Sequence, residues 1–238
     1  RFPISFDNSE RVCIYNEFFY GSCRWYREAS RPLSFMGDAL SYYLIPLAAP
    51  LPLLFSPILA FARPGKRPPF VPAVAEASAF GALLIAISAL VILIVCGPGD
   101  SGLIGFAGVG LSVRLDPVSA TMLLLVAFVG WIVVRYAGTS LDGEMRQGAF
   151  TGLLCVALAA VLLLVQAGNL VQLVAAWIAT SVALHHLLLF YPDRQAAQRA
   201  ARKKGMFSTI GALALLFAIT LIWVRFGTSD IATINRLA

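Results

Sequence analysis

Long apolar runs alternate with short polar or glycine-proline breaks along most of the chain. A bilayer core of about 30 Å takes about 20 apolar residues at about 1.5 Å each, so the runs can be counted as spans. The first covers about Ser41 to Ala62, "SYYLIPLAAPLPLLFSPILAFA", and holds Pro46, Pro50, Pro52 and Pro57. Each proline removes a backbone hydrogen bond, so kinks are predicted there. The second covers about Ala73 to Cys96 and is closed by "GPGD", where glycine and proline stop a helix.

The glycines of "GLIGFAGVGLSVRLDP" and the alternation in "LSVRLD" predict a short hairpin at the membrane surface, between the second and third spans. The third span follows at once, with Asp116 as N-cap, Pro117 in the first helical position and an end near Arg135 and Tyr136 in an interfacial belt. A polar loop, "GTSLDGEMRQG", leads to the fourth span, about Ala149 to Gln166. Only "AGN" separates it from the fifth, about Leu170 to Tyr191, so these two helices are predicted to be antiparallel neighbours with Asn169 as a cap. Pro192 ends the fifth span, and the sixth runs from about Phe207 to Arg225.

Composition agrees with this pattern. Hydrophobic residues make up 59% and charged residues 13% of the 238, against about 45–50% and about 25% in soluble domains. The fold class is therefore an all-α integral membrane protein of about six transmembrane helices. The net charge of +6 does not point to nucleic acid, because the lysines and arginines sit in short loops between apolar runs. They gather after spans one, three and five, which predicts an outside N-terminus and a cytoplasmic loop over residues 192–206.

Residues 1–35 are charged and aromatic without helical or alternating period, whereas Met36 opens onto a polar turn and an apolar run. The chain divides accordingly into 1–35, an extramembrane extension or upstream translated sequence, and 36–238, the transmembrane domain. If 1–35 is an extramembrane segment, Cys13 and Cys23 are candidates for a disulfide. The four cysteines show no metal-ligand spacing, so neither a metal nor a cofactor is expected.

Charged groups deep in a membrane are costly and usually functional. After Phe70 the acidic residues are Glu76, Asp100, Asp116, Asp142, Glu144, Asp193 and Asp230, all in loops or at span ends. The polar groups left in or near the apolar runs are Gln166, Asn169, Gln172, Thr180, Ser181, His185 and His186. Trp177, Ser181 and His185 share a helical stripe, and His186 points about 100° from His185. Two readings of the histidines stand: inner-interface side chains bonded to a neighbouring helix or water, favoured by the helix C-terminal dipole, or a protonatable relay with Ser181 and Thr180. Adjacent histidines lack the i, i+4 spacing of a metal pair.

The basic run with Arg199, Arg202, Lys203 and Lys204 also has several readings: an anchor on anionic membrane lipids, a docking surface for a cytoplasmic partner, or an amphipathic surface helix, since "AAQRAARKK" has helical spacing. An enzyme is not expected, because the chain holds no nucleophile–base pair, carboxylate dyad or phosphate loop.

The order of these features resembles a known family. The hairpin, "LSVRLDPVSATMLLLVAFVGWIVVRYA", "GEMRQGAFTGLLCVALAAVLLLVQAGNLVQLVAAWIATSVALHHLLLFYPDR", the basic stretch and "FGTSDIATI" are similar to the first six spans of antiporter-like subunits, the NuoL and Mrp type. "AWIATSVALHHLLLFYPDRQAAQRAARKK" most resembles the DabB-type subunits of inorganic carbon transporters. The resemblance implies the leading part of an inverted-repeat fold in a bacterial inner membrane, with the chain as an N-terminal fragment. It also implies a large cytoplasmic, zinc-bearing DabA-like partner resembling carbonic anhydrase, driven by proton or cation flux. NuoL-type proteins carry a glutamate directly after the tryptophan matching Trp177, and here that position is Ile178. This departure counts against a complex I subunit. A cation/proton antiporter or complex I-type subunit is nevertheless the second expectation, and a structural or assembly protein without an ion path the third.

Overall fold

The computed structural model describes residues 6–7, 11–14, 24–27, 42–62, 70–101, 104–106, 109–141, 146–190 and 195–237. Two compact units result, residues 1–39 and 40–238. In the first, strands β1 (Phe6–Asp7), β2 (Arg11–Ile14) and β3 (Arg24–Arg27) form an antiparallel sheet in that order. Val12 pairs with both Phe6 and Tyr26, and Cys13 pairs with Trp25. The aperiodic sequence of this segment hid these short strands. Cys23 lies outside the described residues, and with it the expected Cys13 pairing.

The second unit is helical. After a 3-10 turn at Ile45–Ala48 come α1 (Pro50–Ala62), α2 (Phe70–Cys96), α3 (Pro117–Ser140), α4 (Gln147–Val165), α5 (Leu170–Leu188), α6 (Gln195–Phe226) and the short α7 (Ile231–Leu237). Five of the described helices, α2 to α6, are long and apolar enough to cross a membrane. The first expected span is instead a 3-10 turn followed by a 13-residue helix. Its prolines explain the break: Pro50 stands at the first position of α1, where no intrahelical N–H is needed.

Local signals set several ends. Asp116 Oδ1 accepts from Ser119 N at 2.6 Å, and Ser119 Oγ accepts from Asp116 N at 2.9 Å, a reciprocal cap at the start of α3. Asn169 Oδ1 accepts from Val171 N at 2.9 Å to open α5. Gly97, with φ of 84°, takes the left-handed conformation that ends α2.

The helices pack through small residues. On α2 the buried positions Ala75, Ala79, Ala82, Ala86 and Ala89 recur every three or four residues, while Phe80, Leu84, Ile87, Val91, Ile94 and Val95 are exposed. This size inversion suits lipid, because no hydrophobic force draws helices together there, and small side chains let backbones approach. Helix α1 packs on α4 and α2, α2 on α3, α3 on α4, and α4 on its antiparallel neighbour α5. Helix α6 packs mainly on α5 and leaves the rest of its surface open.

The expected hairpin is present as two nested ribbons. Strands β4 (Gly99–Asp100) and β7 (Arg114–Leu115) pair outside, and β5 (Ile104–Phe106) and β6 (Val109–Leu111) pair inside, all antiparallel. The returning backbone binds the turn between α4 and α5. Gly168 N donates to Ser112 O at 3.0 Å and Arg114 N to Gln166 O at 3.2 Å. From the other side, Leu170 N donates to Ser229 O at 3.0 Å and Ile231 N to Gly168 O at 3.1 Å. One end of the bundle is thus closed by backbone hydrogen bonds.

The opposite end differs from expectation. The basic stretch is neither a loop nor a separate surface helix, but the first turns of the sixth span. Its alanine, glutamine, arginine and lysine residues are all strong helix formers. The resulting 32-residue helix is about 48 Å long, well beyond a hydrocarbon core of about 30 Å.

Candidate functional site

The polar residues singled out in the sequence fall into two groups. Gln166, Asn169 and Gln172 belong to the closed end; the Gln166 backbone carbonyl accepts from Arg114 N, while its buried side-chain amide has no hydrogen-bond partner among the described residues. Gln172 Oε1 accepts from Ser112 N at 2.9 Å, which fastens α5 to the hairpin, and Asn169 caps α5. Thr180 donates from Oγ1 to the Ala176 carbonyl of its own helix at 2.8 Å, and so takes part in an ordinary helix-internal bond.

Ser181, His185 and His186 come together with α6. They line an open groove of about 500 Å³ with Ile178 and Val182 on the α5 wall and Lys204, Gly205, Ser208, Thr209 and Ala212 on the α6 wall. Ser181 Oγ and Ser208 Oγ lie 2.5 Å apart across the groove. Beside them Lys204 donates from Nζ to the Ser181 backbone carbonyl. Three hydroxyls, an ammonium and two imidazoles therefore line one groove, whose remaining residues are apolar or glycine.

The histidine rings stand edge to face, 6.2 Å between centroids and inclined at 73°. Helical geometry separates their directions, yet the groove is wide enough to take both. His186 also lines a second groove, of about 480 Å³, with Arg146, Ala149, Leu153, Leu189 and Phe190 at the start of α4 and the end of α5. It is therefore shared between two openings, whereas His185 faces α6.

The basic residues divide in the same way. Arg199, Arg202 and Lys203 are exposed on α6, at a spacing that puts them on one face. Lys204, expected with them as a docking residue, is half-buried and turned to α5. Composition alone missed this; the usable signal was its position one helical turn before Ser208. Ile178, where the resemblance led to expect a glutamate, lies on the same groove wall. Among the described residues, no group of three or more His, Cys, Asp or Glu is placed to hold a metal ion.

Comparison with known proteins extends these observations. Residues 104–147 match the family described as NADH-ubiquinone oxidoreductase (complex I), chain 5 N-terminus, and residues 167–238 match NADH:quinone oxidoreductase/Mrp antiporter, transmembrane. Two probable inorganic carbon transporter subunits of the DabB type from Halothiobacillus neapolitanus are similar. One is 38% identical over 132 residues, 54% of this chain and 24% of the relative. The other is 32% identical over 201 residues, 82% of this chain and 34% of the relative. The chain thus spans about a quarter to a third of the length of these relatives.

The fold is similar to a chain of the membrane-bound sulfane sulfur reductase, an archaeal respiratory membrane complex, with a TM-score of 0.64 at 18% identity, over 84% of this chain and 40% of that one. On family matches, relatives and fold together, this chain is a homologue of the antiporter-like membrane subunits of the NADH:quinone oxidoreductase and Mrp type.

Proposed function

We propose that the chain serves in the membrane subunit of an inorganic carbon transporter driven by proton or cation flux, and that the groove between α5 and α6 is a proton-relay step in it. The observation that carries this reading is the meeting of Lys204, His185 and His186, from two helices, in one groove with Ser181 and Ser208. Histidine is the side chain that titrates nearest neutral pH, and serine hydroxyls both accept and donate, so the set has the components of a proton relay. The DabB names of the relatives support carbon as the cargo.

In this reading the basic end of α6 is cytoplasmic, as the bias of basic residues favours. The exposed face with Arg199, Arg202 and Lys203 then receives a cytoplasmic, zinc-bearing, carbonic-anhydrase-like partner, and the zinc chemistry belongs to that partner. A cation/proton antiporter or complex I-type role is the second reading, favoured by the description of the family matched over residues 167–238.

The test is growth at limiting CO2 of cells that depend on the full transporter. His185→Phe with His186→Phe is expected to abolish growth at normal expression. Unimpaired growth would reject the relay and favour a purely structural role. Charge reversal at Arg199, Arg202 and Lys203 is expected to reduce co-purification of the soluble partner, and an intact complex would reject that docking face.

A further inference from the structure

The lining of the α5–α6 groove is one-sided in charge. Lys204 brings an ammonium with three N–H donors, one of them used on the Ser181 carbonyl. His185 and His186 add imidazoles and the Ser181–Ser208 pair adds hydroxyls, and no aspartate or glutamate lines the groove among the described residues. The described ion pairs, Arg114 with Asp116 and Arg135 with Glu76, are made by other residues. Ile178 leaves the α5 wall without a carboxylate.

Such a lining is poor for a metal cation and good for an anion. Hard cations need a cage of oxygen ligands, usually carboxylates. Here the Ser181 carbonyl is engaged by Lys204, and the Thr209 hydroxyl donates to the Gly205 carbonyl at 2.9 Å. A fixed ammonium repels a second cation, and more strongly where the dielectric is low. The two remaining Lys204 donors have no described acceptor, and the exposed Arg199, Arg202 and Lys203 on the preceding turns attract anions towards the same helix.

We infer that the groove binds a small monovalent oxyanion of the bicarbonate kind, with Lys204 as its counter-charge. The identity of the anion rests on the carbon-transport reading above, while the preference for negative charge rests on the lining alone. Proton relay and anion binding are compatible, since imidazole hydrogen-bonds an oxyanion in either protonation state.

Thermal unfolding of the detergent-solubilised chain, titrated with sodium bicarbonate and with choline bicarbonate against sodium chloride at equal ionic strength and pH, tests this. At tenfold excess over Kd the midpoint is expected to rise by about 4 °C with either bicarbonate salt. The rise should vanish in Lys204→Met, persist in Lys204→Arg, and vanish in Ile178→Glu, which supplies an internal carboxylate while keeping the lysine. A rise that follows sodium, or is undiminished in both Lys204→Met and Ile178→Glu, overturns the inference; if one variant fails to fold, the other decides. Bicarbonate silence with histidine-dependent growth intact sinks this inference alone. A lysine-dependent bicarbonate response without histidine dependence sinks the relay alone.

Discussion

Lys204 on α6 donates from its Nζ to the backbone carbonyl of Ser181 on α5. One turn further along α6, Ser208 meets the side chain of the same Ser181 at 2.5 Å. Ser181 is therefore held through both its backbone and its hydroxyl by a helix that has α5 as its main neighbour. The pairing fixes which residues of α6 face the histidines.

That register makes a direct prediction. Ser181→Cys with Ser208→Cys, in a background with the native cysteines replaced by alanine, is expected to form an intramolecular disulfide under mild oxidation. A non-reducing gel and mass spectrometry of the linked peptides check it. Absence of the bond in a folded sample would reject the facing geometry, since a disulfide needs Cβ atoms about 3.5–4.5 Å apart.

Packing between α3 and α4 depends on Gly130, where an added Cβ would collide with the Leu158 side chain. Gly130→Val is expected to destabilise the bundle by about 1–3 kcal/mol through overpacking. Thermal unfolding in detergent measures it, and pairing with Leu158→Ala should recover part of the loss.

The cap at the start of α3 joins Asp116 and Ser119 in both directions. Asp116→Ala is expected to cost about 1 kcal/mol and to speed amide exchange in the first turn of α3. Unchanged exchange over residues 118–120 would contradict the cap.

Gln172 ties the hairpin to α5 by accepting from Ser112 N, and both residues are buried. Gln172→Leu leaves that N–H without its acceptor and is expected to cost about 1–3 kcal/mol. Hydrogen exchange should accelerate at Ser112 and its neighbours in the hairpin, with little change at the histidine end. A uniform effect along α5 would point to a general loss of packing instead.

Features legible in the sequence share a short range. Asp116 followed by Pro117 and Ser119, Asn169 before an apolar run, and Gly97 after one act within a few residues, so the sequence around each suffices to place a helix end. The hairpin was visible for the same reason, through its glycines and alternation. The strands of residues 6–27 escaped because each is only two to four residues long, too short for a period to register. The break in the first span was foreseeable from Pro50, but its reduction to a 13-residue helix was not.

By itself the sequence determined that the chain belongs in a membrane, how many apolar segments it has and where most of them end, and it offered Thr180, Ser181, His185 and His186 as candidates on the fifth span. Only the tertiary structure decided that Gln172 holds the hairpin, that the basic stretch continues into the sixth span, that Lys204 leaves its basic neighbours to join Ser181, and that both histidines open on one groove. The division has a physical cause. Hydropathy, capping and turn chemistry are read over a few residues of chain, whereas the partner of a side chain on a long helix depends on which neighbouring helix packs against that face and in what register.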